Sequence, residues 1–116
     1  MLASAFASRQ HWAEAGGTDE NLAIADWQVA HVASLVGFAD LAKAFATAAY
    51  DRARASNLPA WLRASTAEGK ARAAACRGDK AGYHKYAAES RELLTLVDDD
   101  KDRSLIESQL ASIPAP

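Results

Sequence analysis

The chain has 116 residues, 50% of them hydrophobic and 24% charged, and a formal net charge of −2. This length is typical of a single domain, and the hydrophobic fraction excludes intrinsic disorder as the default state. No basic face favours a nucleic-acid partner, and no segment approaches the roughly 20 apolar residues of a membrane-spanning helix. The short N-terminal apolar run lacks the basic region of a signal peptide, so we expect a cytoplasmic protein with no membrane or nucleic-acid partner.

The composition favours helices, because alanine is abundant, glycine and proline are scarce, and runs of β-branched residues are absent. Glycine, proline and aspartate mark the breaks between segments whose apolar residues recur at helical spacing. Short breaks make successive helices antiparallel neighbours. We therefore expect an all-α fold of about six helices, over residues 2–15, 19–36, 38–56, 59–77, 79–97 and 100–112.

The stretch from Asn21 to Val36 is apolar on nearly every side. Ile24, Trp27, His31 and Leu35 form one stripe at helical spacing, and a second apolar stripe lies beside it. A helix with two apolar stripes packs against neighbours on two sides, so we expect this to be the central helix of the domain.

Gly37 and Gly78 each separate two alanine-rich helices, and they lie 41 residues apart. A period of this length predicts stacked helical hairpins, in which small side chains let the helices approach and glycine forms the tight turn. We expect one domain, residues 1–116, divided into an N-terminal helix (1–17), repeat one (18–58), repeat two (59–97) and a C-terminal capping helix (98–113).

Small residues recur at matching places in the two hairpins, namely Ala30, Gly37, Ala42 and Ala49 in the first and Ala71, Gly78 and Ala87 in the second. This pattern resembles the tetratricopeptide repeat. Two features depart from it: the period exceeds the roughly 34 residues of that repeat, and Tyr83 stands where alanine is common. The resemblance implies a short solenoid of antiparallel hairpins that binds proteins or peptides.

A second set of residues extends over almost the whole chain: His11-Trp12, Asn21, Trp27-Gln28, Leu35-x-Gly37, Glu68-x-x-Ala71-Arg72-Ala73, Gly78-Asp79 and Asp102-Arg103. This set is similar to a small group of uncharacterised bacterial tetratricopeptide-like proteins. Arginine is frequent there in place of His31, and tyrosine in place of Ala33, so a partner that touches these side chains would differ. The resemblance implies no activity.

No arrangement of residues typical of catalysis or metal binding is present, so we expect no enzyme, no cofactor and no metal. His31 has no histidine or acid at the helical spacing that metal ligands need, and Glu89 lies five residues after His84. His11 is likewise interpreted as a surface or structural residue. Cys76 lies among alanines and is interpreted as a small buried hydrophobe.

An acidic cluster precedes the last helix, but it lacks the central glycine and closing glutamate of a calcium-binding loop. Acids at the start of a helix are explained by capping and by the helix dipole. The cluster consists of Asp98, Asp99, Asp100 and Asp102.

Four residues on the first helices of the two hairpins are the candidate partner-binding residues: Trp27, His31, Glu68 and Arg72. The first helices of successive repeats line the concave face of a solenoid, where aromatic and polar side chains form a contact surface for a peptide. The alternative interpretation is that Trp27 belongs to the core, and that Glu68 and Arg72 form an ordinary surface pair at i, i+4.

We therefore expect a non-enzymatic module, a small adaptor that binds a protein or peptide. An alternative is a small-molecule sensor or degenerate enzyme with a pocket between Trp12, Trp27 and Trp61. Self-association is a companion hypothesis, because the terminal helix carries much apolar area for the end of a short solenoid. The apolar residues of that helix are Leu105, Ile106, Leu110 and Ile113.

Overall fold

A computed structural model describes all 116 residues and contains six helices and no strand. Neighbouring helices pack against each other, so the all-α fold and the stack of helical hairpins are confirmed. The helix ends agree with the predicted ones to within one or two residues, except that α5 ends three residues earlier. The helices are α1 Leu2–Glu14, α2 Asp19–Leu35, α3 Ala39–Ala55, α4 Ala60–Cys76, α5 Lys80–Leu94 and α6 Asp100–Ala111.

Three turns of the chain, around Gly37, Asn57 and Gly78, share one backbone geometry. Gly37 has φ +83° and Gly78 has φ +77°, as expected for left-handed residues that end a helix. Between the two hairpins, Asn57 takes the same role with φ +46°. In the first turn the amide of Phe38 donates to the carbonyl of Ala33 over 2.8 Å, and the other two turns contain the equivalent bond at 2.9 Å. The predicted glycine turns are therefore confirmed.

Replacing Gly37 by alanine is expected to lower the free energy of unfolding by about 1 kcal/mol or more, because the left-handed region is unfavourable for a residue with a Cβ atom. No atom lies within 4 Å of a Cβ built there, so the loss would come from the backbone alone. Urea denaturation measures it. Gly37→Asn is the matched control and should lose less, because Asn57 already adopts this conformation in the same chain. Equal losses in the two variants would contradict this explanation.

The central helix of the fold is α4, and the expectation that α2 would be central is wrong. Helix α4 contacts α2, α3, α5 and α6. Ten of its residues are buried, compared with six in α2. Its alanines and Gly69 allow four helices to approach, whereas Trp27 and His31 of α2 lie half-buried at the edge of the packing. The apolar sequence of α2 therefore predicted more burial than this helix has in the structure.

Helix α1 attaches to the outer side of the first hairpin. Phe6 meets Phe45 of α3 edge-on, with ring centroids 5.7 Å apart. Arg9 donates from Nε to Oδ1 of Asp26 over 2.9 Å, and Asp26 is only 1% exposed. This ion pair therefore links α1 to α2.

Helix α6 packs into the core of the second hairpin. Ile106, Leu110 and Ile113 are 2%, 4% and 6% exposed and pack with α4 and α5. The expectation of a largely uncovered apolar face on the terminal helix is therefore wrong, since only Leu105 is well exposed. Self-association itself stays a prediction.

The turn between α2 and α3 also carries exposed apolar residues. Leu35 and Phe38 are each 55% exposed, and Val36 is 47% exposed. The apolar stripe of the predicted central helix included Leu35. All three residues flank Gly37, where both helices end, so they lie outside the faces that pack against other helices.

Candidate functional site

Two of the predicted site residues meet directly across the α2–α4 contact. Trp27 and Glu68 are 41 positions apart, one repeat length, and Nε1 of Trp27 donates to Oε1 of Glu68 over 3.2 Å. The indole fits because Gly69 has no side chain: a Cβ there would lie 3.0 Å from Cδ1 of Trp27. The ring of His31 stacks on the same indole, with centroids 5.1 Å apart. The predicted convergence of the two helices at these positions is confirmed.

Arg72 extends this cluster to α6. Its Nε donates to Oε2 of Glu68 over 2.9 Å. Its Nη2 donates to the carbonyl oxygen of Gln109 over 2.9 Å and to Oγ of Ser112 over 2.7 Å. One guanidinium therefore binds a carboxylate of α4 and the C-terminal end of α6. Its positive charge there also interacts favourably with the helix dipole.

Glu68 and Arg72 are buried, with side chains 0% and 5% exposed. The expectation that they line an open groove is wrong, because Trp27 of α2 contacts Glu68 and the end of α6 contacts Arg72. The alternative of an ordinary surface pair is wrong for the same reason. Trp27 and His31 are half-buried and remain accessible at the edge of the cluster.

Burial determines the electrostatics of this cluster. Loss of water raises the pKa of Glu68, while the charge and hydrogen bond of Arg72 and the hydrogen bond of Trp27 act in the opposite direction. Burial also lowers the pKa of His31, and the nearby charge of Arg72 lowers it further. Both effects favour the neutral form of the His31 imidazole.

A small apolar cavity of about 170 Å³ opens beside the cluster, where α2, α4 and α6 meet. We call it the apolar cleft. Leu105 forms part of its wall and is 58% exposed, so the cleft is reached from solvent. Its lining consists of Ile24, Trp27, Trp61, Leu62, Leu105 and Ile106, with Ser65, Asp102 and Gln109 as the polar members.

Asp102 places a negative charge at this cleft. Its carboxylate takes part in none of the six ion pairs of the structure. Its backbone amide donates to Oδ1 of Asp99 over 2.9 Å, which caps the start of α6. The capping interpretation of the acidic cluster is thus confirmed for Asp99, and the carboxylate of Asp102 remains available to a partner.

Only two of the three tryptophans of the alternative pocket come together. Trp27 and Trp61 both line the apolar cleft. Trp12 lies on α1, where its ring meets His11 edge-on at 5.5 Å and lies against Gly17. A pocket formed by all three tryptophans is therefore wrong.

The remaining candidates stay separate from one another. The structure brings no group of three or more histidine, cysteine, aspartate or glutamate side chains close enough to hold a metal ion. Cys76 is half-buried rather than buried, and its thiol donates to the carbonyl of Ser34 over 3.7 Å.

The sequence pattern missed the residues that α6 contributes to the site. Leu105 was interpreted as part of an apolar face of the terminal helix, and Asp102 as a capping acid. A signal did exist for the buried acid Asp26: it lies three positions from both Ala23 and Val29, which are buried.

No helix of the structure has the length and apolarity needed to cross a membrane. Comparison with known protein families, with curated proteins and with solved structures found no match. The fold and the site together define an all-α stack of helical hairpins with an apolar cleft on one face.

Proposed function

We propose that this chain is a non-enzymatic peptide-binding module of tetratricopeptide-like type, acting as a small cytoplasmic adaptor. The observation that supports the proposal is the apolar cleft, which is lined by two tryptophans and open to solvent beside Leu105. Aromatic side chains at a small concave surface are typical anchors for a partner side chain.

The size of the cleft favours a peptide over a small-molecule ligand. Its volume of about 170 Å³ lies below the roughly 300–1,000 Å³ of pockets that enclose drug-sized molecules. A cavity of this size accommodates one large apolar side chain. The small-molecule alternative is therefore less well supported, although Trp27 and Trp61 line the same cavity.

The polar members of the cleft indicate the chemistry of the peptide. Asp102 offers an unpaired carboxylate, which favours a lysine or arginine next to the anchoring residue. Ser65 and Gln109 offer a hydroxyl and an amide that can bond to a peptide backbone. The proposed ligand is a segment with a large apolar residue adjacent to a basic one.

Selection from a random peptide library tests this proposal. Peptides enriched on the wild-type protein should combine a large apolar residue with a neighbouring lysine or arginine. Binding should change the fluorescence of Trp27 and Trp61. In Leu105→Lys the affinity should fall by about tenfold or more, because a positive charge replaces an apolar wall and repels the basic residue of the peptide.

The matched control is Leu96→Lys, since Leu96 is 60% exposed and does not line the cleft. It should bind the selected peptides like the wild type. Peptides without the predicted pattern, or equal losses in the two variants, would refute the cleft as the peptide site. Binding of indole-sized compounds instead of peptides would favour the small-molecule alternative.

Homodimerisation remains part of the proposal, although the terminal helix offers less exposed apolar surface than expected. Leu105 and the turn residues Leu35, Val36 and Phe38 are among the exposed apolar side chains available for contact with a second copy. Sedimentation equilibrium distinguishes a dimer from a monomer.

A further inference from the structure

A second cavity of about 230 Å³ lies between α3, α4 and α5 and shares only α4 with the apolar cleft. We call it the basic cavity. Three of its seven lining residues are cations, although the chain as a whole is slightly acidic. The lining consists of Lys43, Lys70, Ala73, Ala74, Arg77, Asp79 and Tyr86.

Lys70 is the best-fixed cation of this cavity. Its Nζ donates to Oγ1 of Thr47 over 3.0 Å. The same ammonium lies 4.9 Å from the ring centroid of Tyr86 and 5.6 Å from that of Tyr50. A hydroxyl and two ring faces hold a charge in place without neutralising it.

The carboxylates nearby leave the cavity with a positive excess. No lysine takes part in any ion pair of the structure, so neither Lys43 nor Lys70 is neutralised. Arg77 pairs with Asp40, whose side chain is 96% exposed, and such a pair is weak. Asp79 caps α5, with Oδ1 accepting from the amide of Gly82 over 3.0 Å.

We propose that the basic cavity binds a phosphate monoester dianion. The Lys70 ammonium is the fixed contact, and Lys43 and Arg77 reach the other phosphate oxygens from opposite walls through flexible stems. The ring of Tyr86 lies beside the substituent that the phosphate carries. Such a group belongs either to a phosphorylated small molecule or to a phosphorylated side chain of a protein. The inference is independent of peptide binding in the apolar cleft.

Nitrogen-15 NMR titration of the intact chain with inorganic phosphate tests the site, with sodium chloride adjusted to hold the ionic strength constant. Saturable shifts should be confined to the amides around Lys43, Lys70 and Arg77. O-phosphoserine should produce the same pattern, with an added effect at Tyr86. Absence of saturation up to about 50 mM phosphate, well above a millimolar dissociation constant, would overturn the proposal.

Two variants and a matched control examine the cations one at a time. Lys70→Met keeps the apolar stem and should weaken phosphate binding by about tenfold. Lys43→Met, at an exposed position, should weaken it by a smaller factor without disturbing the fold. Lys101→Met removes an exposed lysine on α6 and should bind like the wild type. Wild-type affinity in both cavity variants would mean that phosphate does not bind in this cavity. An equal loss in Lys101→Met would show general charge attraction. Either result would overturn the assignment.

A peptide containing phosphoserine distinguishes the two sources of the phosphate. If the peptide binds more tightly than free O-phosphoserine, the ligand is a phosphorylated protein segment. If it binds equally or less tightly, the ligand is a phosphorylated small molecule. Both results support the site, and loss of both in Lys70→Met ties them to the same cavity.

Discussion

Arg72→Ala is expected to lower the free energy of unfolding by about 3–5 kcal/mol, because it leaves the buried carboxylate of Glu68 without its ion-pair partner. The Glu68 side chain is 0% exposed, and its carboxylate has only Arg72 and Trp27 as hydrogen-bond donors. The variant also removes the donor that binds Gln109 and Ser112 at the end of α6. Urea or thermal denaturation of the purified variant measures the loss.

A control at the C-terminal end of the same helix separates the effect of burial from the effect of removing a charge. Arg77 pairs with Asp40 at the surface, so Arg77→Ala should change the free energy of unfolding by only about 0–1 kcal/mol. A rescue variant, Glu68→Gln with Arg72→Met, removes both charges, keeps an acceptor for Trp27, and should recover much of the stability. If Arg72→Ala is as stable as the wild type, α6 does not bury the pair in solution.

Ile106→Ala is expected to lower the free energy of unfolding by about 2–5 kcal/mol, the usual effect of removing a large buried aliphatic side chain. Ile106 is 2% exposed and packs with the core of the second hairpin. The neighbouring Leu105 is 58% exposed, so Leu105→Ala should stay within about 0.5 kcal/mol of the wild type. Denaturation of the two single variants under identical conditions makes the comparison.

The pair Leu105 and Ile106 tests whether α6 belongs to the core or is a loosely attached cap. Similar small losses in both variants would mean that α6 detaches readily, and the apolar cleft would then lack a fixed wall. The expected contrast would instead mean that the cleft is formed before any partner binds. Preformed sites bind with less loss of conformational entropy.

The Arg72 cluster connects stability to the proposed function. Arg72 holds the C-terminal end of α6, and α6 supplies Leu105, Ile106 and Asp102 to the apolar cleft. Variants that free α6 should therefore lose peptide affinity even though Glu68 and Arg72 do not face the peptide. The rescue variant should recover both stability and affinity.

Local features of the sequence were sufficient to predict the elements. Alanine-rich segments with apolar residues at helical spacing predicted six helices, and the structure contains them. Gly37 and Gly78 predicted two hairpin turns because a left-handed residue is favourable only without a Cβ atom, or with asparagine as at Asn57. Each of these preferences depends on a few neighbouring residues, which is why the sequence alone determined them.

The tertiary structure alone decided which faces are covered. Glu68 and Arg72 at i, i+4 form the same pattern on a surface as in a core, and the contacts with α2 and α6 are what bury them. Helix α4 became central because its small side chains accept neighbours on every side, which no periodicity reports. The apolar cleft depends on α2, α4 and α6 meeting, and their residues are far apart in the chain. Burial is a property of the assembled helices, so no single segment encodes it.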